Sequence, residues 1–376
     1  MPAAPIARVR LGGYRFAFRS PWPSAEGPQT HREGIVLVLE DGDGLAGVGE
    51  CAPYPGFGME TLASSRSALR LAASFLVGMP PESLLPAASD LSRLAPVAAS
   101  PGARAAIDLA LHDLAAQHAG VTVARLVGGD TARAGAHANA VIAPSPPDMT
   151  GAAARAAVGA GARCVKLKVG GRPLAADVAV IRAAREAIGP EIRLRVDANQ
   201  SWSESEAIEA LRALASFDLE YAEQPVRAGA IDALARVRAA SGVPIAADEA
   251  LHDARAARRL AAAGAADVFI VKPMALGGLA AAREVITIAE EAGIRVTVTT
   301  ILDAAVGRAG ALHLAASRGD DRDHGLGTGG ALAEDLLVGV ADRPGRLSLP
   351  AGMGLGDAVR EAALGRTEPI DAGAPR

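Results

Sequence analysis

The sequence predicts an α/β protein built on a closed parallel barrel, preceded by a smaller α+β segment. From about residue 135, short apolar strands alternate with Ala-rich amphipathic helices about eight times, at roughly 25-residue intervals. An open doubly wound sheet is the alternative topology. No Gly-x-Gly-x-x-Gly follows an early strand and no P-loop occurs, which counts against a nucleotide-binding open sheet. The third observation is compositional. The 376 residues are 50% hydrophobic but only 3% aromatic, so Ala, Leu, Val and Ile must fill the core.

In chain order, Ile35-Val-Leu-Val-Leu39, the turn-prone Asp41 to Gly44, and Ala46-Gly-Val-Gly-Glu50 read as a hairpin. The Pro/Gly-rich loop Ala52 to Gly58 leads into a helix expected near Glu60 to Leu76. A second helix is expected over Gly102 to His118, with Ile107, Leu111 and Leu114 at helical spacing. Barrel strands are expected at 136–142, 163–169, 192–197, 219–223, 244–247, 267–271 and 295–299, with a weak one at 324–327. Leu174, Val178, Ile181 and Ile188 make one helical stripe between them. Ile208, Leu211 and Leu214 make another, opened by the capping-box pattern Ser203-Glu-Ser-Glu206. The last forty residues are rich in Gly and Pro and should pack back on the first segment.

Composition excludes several function classes. The net charge of −4 leaves no basic surplus for nucleic acid or an acidic membrane. Cys51 and Cys164 cannot build a disulfide framework and fit a reducing compartment. The N-terminal residues lack the apolar core of a signal peptide, and no apolar run is long enough to span a bilayer. The expectation is a soluble, cytoplasmic, Ala-rich globular protein.

Charges at the ends of apolar strands carry the functional signal. Lys166 and Lys168 lie two apart and hence on one face of their strand. Asp197, Glu223, Asp248 and Lys272 each end a later strand, and the successive gaps from Lys168 are 29, 26, 25 and 24 residues. Each gap is one β/α unit, so all these groups should meet at the C-terminal rim of one barrel, where active sites of such barrels sit. A lone carboxylate at a strand end usually caps a helix or sits in a solvated loop. A lone strand lysine usually snorkels at an edge. Several in register at one rim must instead compensate one another or a bound ion. Three carboxylates without clustered Cys or His favour a hard cation, Mg²⁺ or alternatively Mn²⁺, held by Asp197, Glu223 and Asp248. Lysines beside such an ion supply a neutral amine as base. The chemistry this suits is proton abstraction next to a carboxylate, on a small-molecule carboxylate substrate.

These residues resemble a known family. Lys166-x-Lys168, Asp197-Ala-Asn-x-x-Trp202, Glu223-Gln-Pro225, Asp248-Glu249 and Lys272 are similar to the motifs of the enolase superfamily, in its muconate-lactonizing subgroup. Enzymes of that superfamily set a lysine or histidine base beside Mg²⁺. The resemblance covers nearly the whole chain. It implies a modified (β/α)7β TIM-type barrel with an α+β capping domain, divided as 1–126 (cap), 127–334 (barrel) and 335–376 (a segment returning to the cap). The loop Pro53-Tyr-Pro-Gly-Phe-Gly-Met-Glu-Thr61 and the stretch Gly325-Leu-Gly-Thr-Gly-Gly330 resemble those of o-succinylbenzoate synthases, and Thr299-Thr300-Ile-Leu-Asp303 stands where many have Ser-Ser-x-x-Glu/Asp. The resemblance therefore implies a lyase of menaquinone biosynthesis. It would dehydrate 2-succinyl-6-hydroxy-2,4-cyclohexadiene-1-carboxylate to o-succinylbenzoate by syn elimination.

By that resemblance Lys168 is the base and returns its proton to the leaving hydroxyl. Lys272 steadies negative charge and faces the substrate ring as a cation. Lys166 tunes Lys168. Arg195, Asn199, Thr300 and Phe57 are the expected substrate-binding residues, Arg195 from a second layer and Phe57 by contact or by simple loop packing. Loops 20–32 and 53–60 should close over the pocket. N-acylamino acid racemases use the same metal and lysines, and muconate cycloisomerases share the lysines. Dipeptide epimerases usually carry Asp-x-Asp at the eighth strand to hold an ammonium, where this chain reads Gly325-Leu-Gly-Thr328. A non-catalytic metabolite-binding barrel has no need of two opposed lysines. The oligomeric state is left open.

Overall fold

Both faces of the first hairpin are covered, which explains its uninterrupted apolar run. In the computed structural model, which describes residues 3–22, 27–81 and 95–370, β1 (Ile6–Trp22), β2 (Gln29–Asp41) and β3 (Ala46–Cys51) form an antiparallel sheet. Ile35, Leu37 and Leu39 face helices of the cap, while Val36 and Val38 join the core shared with the barrel. A strand buried on both sides loses the alternation of a half-exposed one. The helices are α1 (Leu62–Leu76), capped by Thr61, then α2 (Ala95–Ala98), α3 (Pro101–His118), capped by Ser100, and α4 (Val123–Gly128). Gly47 and Gly49 let α3 lie directly on β3. A Cβ at Gly49 would stand 1.9 Å from the Ala106 carbonyl oxygen, and one at Gly47 2.1 Å from that of Ala110.

The barrel then follows as β4 (Gly135–Ala138), β5 (Ala140–Ile142), α5 (Pro147–Gly159), β6 (Cys164–Lys168), α6 (Leu174–Ile188), β7 (Arg193–Asp197) and α7 (Glu204–Leu214). It continues with β8 (Leu219–Glu223), α8 (Ile231–Ser241), β9 (Ile245–Ala247), α9 (Ala254–Ala262), β10 (Val268–Val271), α10 (Pro273–Leu276) and α11 (Leu279–Glu291). It ends with β11 (Arg295–Val298), α12 (Ala305–Ser317) and β12 (Asp323–His324). Strands β5 to β11 form one parallel sheet in sequence order. The ring closes because β4 pairs with β12, and Gly325 bridges to Thr299 just beyond β11. Taking β4–β5 as one strand, eight strands and seven helical connections, one of them carrying both α10 and α11, give the (β/α)7β order.

Several expectations shift in detail. The strand expected over 136–142 breaks at Asn139, where the chain changes partner from β12 to β6. Asn139 donates its backbone N–H to the His324 carbonyl there, and its side chain accepts from Arg195. The weak strand expected at 324–327 is found at Asp323–His324, with Gly325 adding a single bridge to Thr299. On α6 the buried stripe runs through Asp177, Val180, Ile181, Ala184 and Ile188, with Leu174 and Val178 only partly covered. Residues 20–22 and 29–32 of the expected loop 20–32 are strand, and 23–26 lie outside the described residues. The capping box at Ser203 and Glu206 forms as expected.

After β12 the chain adds β13 (Gly345–Ser348) to β4, packs α13 (Asp357–Leu364) near β2 and β3, and pairs β14 (Glu368–Pro369) with β1. Helix α4 runs across residues 126 and 127. No helix among the described residues is long and apolar enough to cross a membrane. Cys51 and Cys164 are both free and buried.

Candidate active site

Alternation along the strands aims one set of side chains into the barrel mouth. Lys166 is in register with Arg195, Lys168 with Asp197, and Asp197 with Glu223. The lower pair, Lys166 and Arg195, and the upper pair, Lys168 and Asp197, thus form two successive layers.

Lys168 Nζ donates to Asp197 Oδ2 at 2.7 Å, and Lys166 Nζ reaches up from the lower layer to Asp197 at 2.9 Å and Glu223 at 2.6 Å. Lys272 pairs with Asp248 at 2.6 Å. The three carboxylates are buried, and burial alone would raise all their pKa values. For Asp197 the ammonium groups of Lys166 and Lys168 outweigh burial and hold the carboxyl well below the usual carboxylate range. For Glu223, burial and the neighbouring Asp197 and Asp248 charges win over Lys166, pushing the carboxyl up to about 8. Asp248 is raised by burial and by Glu249 beside it, against the pull of Lys272. Lys166 is raised, its two carboxylates more than offsetting the cost of burial.

Local turns hold these groups in place. Past Asp197, Asn199 and Gln200 adopt left-handed backbone with φ of 41° and 65°. Asn tolerates this region better than most residues, and the Asn199 N–H donates to Asp197 Oδ1 at 3.0 Å. Gln224 is also left-handed, and its side-chain oxygen accepts from the N–H groups of Asp248 (2.9 Å) and Ala250 (3.1 Å). The Gln of Glu223-Gln-Pro225 therefore anchors the next metal-type carboxylate.

The expected site residues divide into two groups. Lys166, Lys168, Asp197, Glu223, Asp248, Lys272, Asn199 and Phe57 come together. Asn199 accepts from Lys168 rather than standing free for substrate. The Phe57 ring, on the single turn Pro55–Phe57 of the cap, lies 4.0 Å from Lys272 Nζ. The cation that was expected to face a substrate ring faces this one. Arg195 does not reach the mouth. It is fully buried, pairs with Glu220 at 2.6 Å, donates to the Asp323 carbonyl and lies over Tyr221 at 4.7 Å. Thr300 is joined to Thr328 of the eighth-strand end by a 2.7 Å hydroxyl bond. Arg32 ties the cap loop down, donating to the carbonyls of Ala52, Pro53, Ile301 and Leu302.

Sequence reasoning missed Glu220, which a bulge between Leu194 and Arg195 lets meet Arg195. Gln224 and Glu249 stand within the quoted motifs, but sequence reasoning gave neither a role. One signal was available in plain counting. Lys166, Lys168 and Lys272 are the only lysines in the chain, against 35 arginines, so every lysine lies at this site.

The donor set fits a hard cation. Three carboxylates and no thiol or imidazole suit a hard ion. The mutual repulsion that raises Glu223 and Asp248 is what such an ion would relieve. In this structure the lysines supply the counter-charge, Lys166 bridging Asp197 and Glu223 and Lys272 pairing with Asp248. Among the described residues the only group of three or more Asp, Glu, His or Cys side chains with donor atoms within 4.8 Å of one another is Asp41, Asp43 and His118, at the cap hairpin. There His118 Nε2 meets Asp41 at 2.7 Å, and Asp41 also accepts from the N–H groups of Asp43 and Leu45, so hydrogen bonds already satisfy it.

Comparison with known proteins settles the family. Residues 148–363 match the enolase C-terminal domain-like family, and residues 15–128 match the mandelate racemase/muconate lactonizing enzyme N-terminal domain. The chain belongs to the enolase superfamily. Among its relatives is a hydrophobic dipeptide epimerase of Enterococcus faecalis, 31% identical over 83% of this chain and 87% of that protein. Another is chloromuconate cycloisomerase CbnB of Cupriavidus necator, 33% identical over 76% of this chain and 78% of that one. The crystal structure of an Enterococcus faecalis dipeptide epimerase complexed with Mg and L-Leu-L-Tyr superposes with a TM-score of 0.87 at 29% identity, covering 94% of this chain and 99% of that chain. N-succinyl Arg/Lys racemase of Bacillus cereus gives 0.86 at 26%, covering 98% and 100%. These superfamily relatives are epimerases, racemases and cycloisomerases.

Proposed function

We propose that the protein is a Mg²⁺-dependent racemase or epimerase that inverts the α-carbon of an N-acylated amino acid. The observation that carries this reading is the opposition of two lysines in a chain whose relatives include racemases and epimerases. Lys168 ends the second barrel strand and Lys272 the sixth. Four places apart in a ring of eight, they face each other across the mouth.

Asp197, Glu223 and Asp248 are the residues proposed to hold the cation. When bound, it supplies a Lewis acid beside the substrate carboxylate that lowers the cost of α-deprotonation. Lys168 removes the α-proton from one face, and Lys272 delivers a proton to the other; for the opposite enantiomer the roles reverse. Lys166, held between Asp197 and Glu223, keeps positive charge beneath the carboxylate site. Phe57 and the cap loop exclude water from the Lys272 side. Arg195, buried against Glu220 and Tyr221, supports its strand from below without touching substrate.

The relatives favour this isomerisation over the dehydration that the cap loop suggested, and they give the menaquinone pathway no support. They also bring back dipeptides, which the sequence had set aside. Against a free ammonium stands the end of the eighth strand, Gly325-Leu-Gly-Thr328, which carries no carboxylate. An acylated nitrogen needs none.

The test is a chiral assay of N-succinylamino acids beside a dipeptide panel and the cyclohexadiene substrate, each with Mg²⁺. Inversion of N-acylated substrates well above dipeptides is the expected result. Dehydration alone would overturn the reading.

A further inference from the structure

Glu249 makes one hydrogen bond among the described residues. Its Oε1 accepts from Asn199 Nδ2 at 3.1 Å, and its Oε2 is buried and meets no donor. Asn199 in turn accepts from Lys168 Nζ through Oδ1, while its own N–H is fixed to Asp197. Chemistry sets the direction of this chain. A carboxylate only accepts and an ammonium only donates, so a single orientation of the Asn199 amide serves both.

We propose that Glu249 is a positioning residue for Lys168 that acts through Asn199, so that the end of the fifth barrel strand aims the base on the second. The proposal rests on the proton-transfer reading above. The Lys168 side chain is 32% exposed and has four flexible torsions to restrain. Asp197 holds Nζ from below, and Asn199 provides the second anchor. A carboxylate on the amide nitrogen polarises the carbonyl and strengthens its hold on the ammonium. Among the described residues Asn199 is the one group to which the Glu249 side chain hydrogen-bonds.

The test follows α-proton exchange of each N-succinylamino acid enantiomer in D₂O, with Mg²⁺ present. The enantiomer served by Lys168 is the one whose exchange Lys168→Ala abolishes. Glu249→Ala should slow exchange of that enantiomer about tenfold, the scale of a small misplacement of a reacting group. The opposite enantiomer should stay within about twofold. Glu249→Gln, which keeps an acceptor oxygen, should recover most of the loss. Glu249→Ala added to Asn199→Ala should cost nothing further, because both break one connection. Equal slowing of both enantiomers, or additive losses, would overturn the proposal. If Glu249→Ala fails to fold, Glu249→Asp withdraws the carboxylate by one methylene and takes its place.

Failure of the proton-transfer reading would look different, since the wild-type protein would then exchange neither enantiomer. Positioning is still measurable in that case. The chain's three lysines give three side-chain amine signals by NMR, and Glu249→Ala should move that of Lys168 and not that of Lys272. An unmoved Lys168 signal would contradict the proposal.

Discussion

The two lysines face one another but are held by different means. Lys168 sits in a web made wholly of barrel strand ends: Asp197 below, Asn199 beside it and Glu249 behind. Lys272 has one barrel partner, Asp248, and its other face is covered by Phe57 of the cap. One amine is therefore set by the barrel alone, and the other also by whether the cap loop is in place. That difference teaches that changes in the cap should act on one face of the substrate, and changes among Asn199 and Glu249 on the other.

The largest expected effect comes from removing either amine. Lys168→Ala and Lys272→Ala should each lower the rate of inversion by about 10²–10⁴-fold, the usual contribution of a general acid or base. Chiral chromatography of the products measures it. Retained inversion in either variant would remove the asymmetry by removing its basis.

Next come the three carboxylates shared by both sides. Asp197→Asn, Glu223→Gln and Asp248→Asn should weaken Mg²⁺ binding by more than the roughly 10–100-fold that outer partners of a metal site cost. Calorimetric titration reads this directly, and unchanged affinity would displace the ion from the proposed position. A smaller effect tests the cap side. Phe57→Leu removes a cation–π contact worth about 1 kcal/mol, or roughly fivefold. It should slow exchange of the enantiomer served by Lys272 and spare the other, as measured by proton NMR in D₂O. Equal slowing on both faces would mean that the loop acts only as a general lid.

The smallest effect concerns the seam between cap and barrel. Glu50 of β3 accepts from Tyr14, from the Ala304 N–H and from the Gly307 N–H, and Asp303 lies beside it. Burial and the Glu50 charge, against Arg32 and the Ile301 N–H, push the Asp303 carboxyl up to about 7. Between the unfolded value near 4 and about 7, the folded protein keeps a proton that the unfolded chain has lost, so stability falls as pH rises through that window. Asp303→Asn should therefore lose less melting temperature than the wild type between about pH 5 and about pH 8. Parallel melting curves would contradict this.

The metal-type carboxylates and the lysines were legible because charge stands out at the end of an Ala/Val/Leu strand, and strand spacing gave their register. The fold was legible for the same reason of periodicity. What was not legible depends on contacts between distant segments. Nothing in Leu219-Glu220-Tyr221 announces a bulge that turns Glu220 toward Arg195. Phe57 and Lys272 are 215 residues apart, and only the docking of the cap brings them together. Asn199 looked like a free polar contact, because its partner Glu249 lies two strands away. The reaction was read too narrowly from the cap loop, since the shared machinery of metal and lysines does not itself choose between dehydration and inversion.

The central claim is that two opposed lysines each serve one face of the α-carbon. Its most direct measurement is α-proton exchange of both N-succinylamino acid enantiomers in D₂O by Lys168→Ala and Lys272→Ala. The account predicts a crossed result, in which each variant still exchanges one enantiomer, a different one in each case, while neither inverts. Loss of both exchanges in Lys168→Ala together with full exchange of both in Lys272→Ala would contradict it, because one lysine would then be doing all the proton transfer.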